Sequence, residues 1–133
     1  MALFNRRDAW HGKIYAWLEN NPGARLITTW PVLTEVCALL ASRVSDAAAH
    51  DFLTWVERGG VMLDQPRPAS FHDVFAIIRR YASVPFDFAD ASIAELAARR
   101  NISEVLTIDS DFDIYRDTRG KPLRNALRSG ARS

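Results

Sequence analysis

Apolar residues recur at helical spacing in five stretches of the chain. Trp10, Ile14, Trp17 and Leu18 share one face of a helix predicted over 9–19, with Asp8 as its N-cap and Asn20, Asn21, Pro22 and Gly23 as its stop. Pro31 opens the next helix, where a missing N–H costs nothing; it runs to about Ser42 with Val32, Val36, Leu39 and Leu40 on its apolar face. Ser45 caps a helix over 46–57 that turns Ala49, Phe52, Leu53 and Val56 inward and ends at Gly59 and Gly60. Ser70 caps a helix to Ala82 packed through Val74, Ile77, Ile78 and Tyr81. A last helix, 89–99, presents Ile93, Leu96 and Ala97, with Arg99 and Arg100 where cations suit the helix dipole.

Between these helices lie three short β-favouring runs, 25–29, 61–63 and 105–108. Strands that alternate with helices make parallel sheets covered on both faces. The pattern therefore predicts one α/β domain over 1–133, with a sheet that is thin for so much helix and a frayed C-terminal stretch of about ten residues.

Composition narrows the function classes. With 48% hydrophobic and 25% charged residues, the chain has the balance of an ordinary globular domain. A net charge of +1 rules out a global basic field, so any nucleic acid must be held by a local patch. The single cysteine, Cys37, has no internal disulfide partner, no apolar run approaches the length of a membrane span, and the N-terminus has no signal-peptide core. A cytoplasmic protein without membrane association is expected. His11, His50 and His72 are scattered, and no Gly-rich phosphate loop or nucleophile elbow occurs.

The carboxylates stand where elements change. Asp87 and Asp90 fall at the start of the last helix, and Asp109 and Asp111 just past the last strand. Each has an ordinary structural role open to it. Asp87 suits an N-cap, which its position favours; Asp90 complements the dipole; Asp109 and Asp111 suit a turn. Glu35, on position alone, reads as a solvated helix charge. Its neighbours Val32, Val36 and Leu39 nevertheless lie on the inward face, and a carboxylate beside that face needs a partner or a metal. Open α/β sheets hold ligands at strand C-termini, and convergent carboxylates there suit Mg²⁺ or Mn²⁺.

Two runs, 89–93 (Ala-Asp-Ala-Ser-Ile) and 106–112 (Leu-Thr-Ile-Asp-Ser-Asp-Phe), resemble the PIN-domain ribonucleases, especially the toxins of VapBC-type toxin–antitoxin pairs. The run 28–36 is similar to the family's second acidic motif. The resemblance implies a PIN-like three-layer α/β fold and a Mg²⁺- or Mn²⁺-dependent endoribonuclease. It places Glu35, Asp90 and Asp109 at the catalytic metal, with Asp111 as a further ligand and Asp87 as an auxiliary. It also implies an antitoxin partner and a homodimer. Arg6, Arg7, Arg116, Arg119 and Lys121 are candidate RNA contacts beside their ordinary role as solvated surface charge.

The chain departs from the family at its start. No acid precedes Asp8, and residues 1–5 look like the end of the family's first helix. The central N-terminal strand, with its Asp, is expected to be missing. A sheet without its middle strand would expose two rows of backbone groups to an apolar gap, so a longer native N-terminus is expected. The alternative function is a catalytically impaired remnant that binds protein or RNA. A phosphoacceptor receiver domain also gathers acids at strand ends, but no strand-end lysine or early acidic pair accompanies them here.

Overall fold

In the computed structural model, residues 2–3, 16–83, 86–106 and 124–125 are described. The elements in order are β1 (Ala2–Leu3), a helix of which residues 16–20 are described (α1), β2 (Ile27–Thr28), α2 (Trp30–Arg43), α3 (Asp46–Glu57), β3 (Met62–Leu63), α4 (Ser70–Arg80), α5 (Phe88–Arg99), β4 (Glu104–Leu106) and β5 (Arg124–Asn125). The strands form one parallel sheet in the order β3-β2-β1-β4-β5.

The expectation of a missing central strand is corrected here. Ala2 pairs with Ile27 on one side and Val105 on the other, and Leu3 pairs with Leu106. The place between β2 and β4 is therefore taken by Ala2–Leu3. Two residues are too few to announce a strand by alternation, which is why the sequence pattern at the start reads as the end of a helix. β5 adds a second strand that periodicity does not reveal.

Helix α2 packs on α3 and α5, and α4 packs on α5. Of these helices α5 is the most enclosed: every residue from Ala89 to Ala97 is buried. Its small residues Ala89, Ala91, Ala94 and Ala97 admit close neighbours, while Ile93 and Leu96 fill the core with Val32, Val36, Leu40 and Val74. Asn101, at φ 57°, turns the chain out of α5 in the left-handed region that Asn tolerates.

Local capping follows the sequence at Ser45, whose hydroxyl accepts from Ala48 N at 3.0 Å, but not at Ser70. The N-cap of α4 is Ala69. The Ser70 hydroxyl instead accepts from Arg67 N at 3.1 Å and donates to Glu95 at 3.1 Å. Leu53, expected inside, is 41% exposed because α3 meets the rest of the molecule through Ala49 and Phe52. No helix among the described residues is long and apolar enough to cross a membrane.

Candidate active site

Helix α5 begins in a reciprocal cap. Asp87 Oδ1 accepts from Asp90 N at 2.9 Å, and Asp90 Oδ2 accepts from Asp87 N at 2.9 Å. The N-terminal amides of a helix lack partners within it, so two carboxylates three residues apart satisfy one donor each and also complement the dipole. Asp87 is half-buried, whereas Asp90 is 0% exposed. The cap explains how a carboxylate is tolerated at such depth, since charge-assisted bonds to backbone amides offset part of the desolvation.

Glu35 lies in the second turn of α2 and is half-buried. The N-cap of α2 is Thr29, yet its side chain makes no cap. Its hydroxyl is instead 2.7 Å from the Ser92 hydroxyl, which in turn donates to Ala89 O at 2.7 Å. With Ser92 donating to the carbonyl, Thr29 is the donor to Ser92. This buried pair ties the exit of β2, from which α2 and its Glu35 continue, to the first turns of α5, which carry Asp90. Glu35 Oε2 and Asp90 Oδ1 are buried oxygens that accept no hydrogen bond among the described residues, although both residues have other interactions.

The structure thus brings α2 and α5, with their acids Glu35 and Asp90, into one packed unit. Asp109, Asp111, Arg6, Arg7, Arg116, Arg119 and Lys121 lie outside the described residues. Among the described residues, no group of three or more His, Cys, Asp or Glu side chains stands ready to hold a metal. The donors that are described, both carboxylates, are hard oxygen ligands of the kind that suits Mg²⁺ or Mn²⁺.

Asp64 shows that an acid at a strand exit need not be a ligand. It follows β3 directly, is 2% exposed, and receives both Arg99 and Arg100. Arg99 Nη1 donates to Asp64 Oδ1 at 3.1 Å, Arg99 Nη2 donates to Asp64 Oδ2, and Arg100 Nε donates to Oδ1 at 2.9 Å. Glu95 takes Arg99 Nε at 2.9 Å one turn back. Burial opposes ionisation of Asp64, but the bonds to Arg99 and Arg100 overcome it and hold the carboxyl below its ordinary range. Glu95 and Asp64 in turn push Arg99 above the usual guanidinium range. Arg99 and Arg100, read in the sequence as dipole cations, therefore clamp the C-terminal end of α5 to β3. The sequence signal for Asp64 was present, an acid immediately after the apolar run 61–63, but its partners lie 35 and 36 residues away. Thr29 and Ser92 lie within the motif runs and carry no charge to mark them.

Burial raises the Cys37 thiol above its ordinary range, which leaves it a poor nucleophile. A cavity of about 380 Å³ between α4 and α5 is lined by Arg67, Asp73, Arg80, Glu95 and Arg99, and includes neither Glu35 nor Asp90.

The family model described as PIN domain matches residues 1–117. Among solved structures, the fold is similar to the crystal structure of Mycobacterium tuberculosis VapC20, described as a sarcin–ricin loop cleaving toxin. The TM-score is 0.70 at 19% identity, over 82% of this chain and 91% of that one. A search of curated proteins returns no match.

Proposed function

Since the chain belongs to the PIN domain family, we propose that it is an endoribonuclease of the VapC toxin type, dependent on Mg²⁺ or Mn²⁺. The observation that carries this reading is the fully buried Asp90, held at the start of α5 by its mutual cap with Asp87 and tied through Ser92 to the exit of β2. A structural cap does not require complete burial, because the same bonds form at a solvent-exposed helix start.

Glu35, Asp90, Asp109 and Asp111 are the residues that would hold the ion. When bound, a divalent ion lowers the pKa of water and stabilises charge on phosphoryl oxygens. The chain's own contribution is placement. The Asp87 amide fixes one oxygen of Asp90, and the Thr29–Ser92 pair keeps α2 and α5 in register. Arg6, Arg7, Arg116, Arg119 and Lys121 are proposed phosphate contacts. The similar structure is that of a sarcin–ricin loop cleaving toxin, which supports an RNA substrate and a cognate antitoxin; a homodimer is proposed on the family resemblance alone. A cytoplasmic location fits the lone Cys37.

A second reading, a PIN domain that binds without cutting, is favoured by the sequence after β1, where Phe4, Asn5, Arg6 and Arg7 supply no carboxylate. Incubation of the purified chain with RNA separates the two. The nuclease reading expects cleavage with Mg²⁺ or Mn²⁺, none with EDTA, and a loss of at least about a hundredfold in Asp90→Asn. Binding without metal-dependent cleavage by the folded chain would establish the second reading.

A further inference from the structure

The exposed large apolar residues fall into two kinds. Val44, Leu53 and Met62 are aliphatic or thioether side chains. The others include four aromatics: Trp30 is the first residue of α2, Phe88 the first of α5, Phe71 the second of α4, and Phe75 lies one turn further along α4. Trp30 is 55% exposed, Phe71 66%, Phe75 44% and Phe88 45%. Exposure on this scale marks an interaction surface, and Phe71, Phe75 and Phe88 adjoin one another on it.

The placement of two of them bears on the candidate active site. Trp30 follows Thr29, whose hydroxyl meets Ser92 in the second turn of α5. Phe88 precedes Asp90 by two residues. The helices that carry Glu35 and Asp90 thus each open on an exposed aromatic ring. From Phe88 the aromatic surface continues to Phe71 at 6.3 Å and then to Phe75 at 6.5 Å, and it ends in a cation, with the Arg79 guanidinium 4.2 Å over the Phe75 ring.

We propose that Trp30 and Phe88 are base-stacking residues that seat single-stranded RNA across the candidate active site, with Arg79 meeting its backbone. This rests on the ribonuclease reading and names how that site takes its substrate. Two observations favour RNA over a protein as the occupant. Flat rings, rather than an aliphatic groove, are what a nucleobase stacks on. A guanidinium on the same surface supplies the charge complementary to phosphate. With a net charge of +1, the chain has no broad basic field, so stacking would add to what local phosphate contacts supply.

The test uses the full chain with U6 and A6 RNA hexamers in EDTA, so that binding is measured without cleavage. Saturable quenching of tryptophan fluorescence is expected. Trp30→Phe keeps the affinity within about twofold and loses most of the quenching, because a Phe ring still stacks but does not report. Trp30→Ala and Phe88→Ala each weaken binding by about tenfold, with circular dichroism unchanged.

Four results would overturn the proposal: no binding by the parent up to millimolar hexamer; quenching of Trp30→Phe equal to the parent's; both alanine variants binding within twofold of the parent; or variants that lose self-association while their RNA affinity stays unchanged, which assigns the surface to a protein contact. Cleavage with Mg²⁺ is assayed separately. A chain that cuts RNA but ignores these substitutions refutes the stacking surface alone. A chain that binds through Trp30 and Phe88 without cutting refutes the ribonuclease reading alone.

Discussion

Asp87 and Asp90 cap each other across the first turn of α5, each carboxylate accepting the other's backbone amide at 2.9 Å. Asp90 therefore closes the helix with one carboxylate oxygen while its side chain is fully buried. The cap is tested by substitution at Asp87. Asp87→Ala removes the acceptor for the Asp90 amide and is expected to cost about 1 kcal/mol, within the usual range for a lost N-cap. Asp87→Asn keeps an acceptor and is expected to lose less than half of that. Urea denaturation of the two variants measures the difference.

The Asp64 clamp is a larger contributor to stability. Asp64→Ala leaves Arg99, at 13% side-chain exposure, without one of its two carboxylates, and removing one partner of a buried pair costs about 3–5 kcal/mol. Thermal unfolding is expected to show a drop in Tm of more than about 8 °C.

The pH dependence of the parent follows from the same residue. The carboxyl of Asp64 is held below its ordinary value, so the folded state binds fewer protons there than the unfolded chain. Its contribution is fully present above the unfolded carboxylate pKa of about 4 and is lost as pH falls through the lower folded value. Asp64→Asn is therefore expected to flatten the acid limb of a stability–pH curve below about pH 4 and to leave its alkaline limb unchanged. An equally steep acid limb in the variant would refute this assignment.

Gly60 is required by Trp55. A Cβ at Gly60 would lie 2.1 Å from Trp55 Cε2, so the indole must move if alanine is introduced. Trp55 is 36% exposed, which gives it somewhere to go. Gly60→Ala is expected to cost about 1–3 kcal/mol through lost packing, with tryptophan emission shifted to longer wavelength. An unshifted spectrum at unchanged stability would show that the ring is not held there.

Much of the fold is legible in the sequence because α2, α3, α4 and α5 are long enough for a 3.6-residue period to stand out. The strands are legible only in part. The β-favouring runs 25–29, 61–63 and 105–108 overlap β2, β3 and β4, but β1 and β5, of two residues each, carry no such signal, and Ala2–Leu3 becomes the middle of the sheet only through pairing with residues far along the chain. Motif runs and apolar neighbours single out Glu35 and Asp90 as site candidates, and the burial of Asp90 and half-burial of Glu35 are what those neighbours imply. The capping role of Asp87 was legible from its place before Phe88. Ser70 misled because a serine ahead of an apolar run signals an N-cap, whereas its hydroxyl is drawn to Glu95, 25 residues away. Asp64, Arg99 and Arg100 show the same limit, since local rules find charges but not distant partners.

Whether Glu35 and Asp90 serve one divalent ion is measured by titrating the purified chain with Mn²⁺ and counting free ion by electron paramagnetic resonance. Saturable binding by the parent is expected, with a loss of at least about tenfold in affinity in Glu35→Gln and in Asp90→Asn, and a double variant little worse than either single one, since residues sharing a ligand do not act additively. Mn²⁺ affinity equal to the parent's in folded Glu35→Gln and Asp90→Asn would contradict a shared ion.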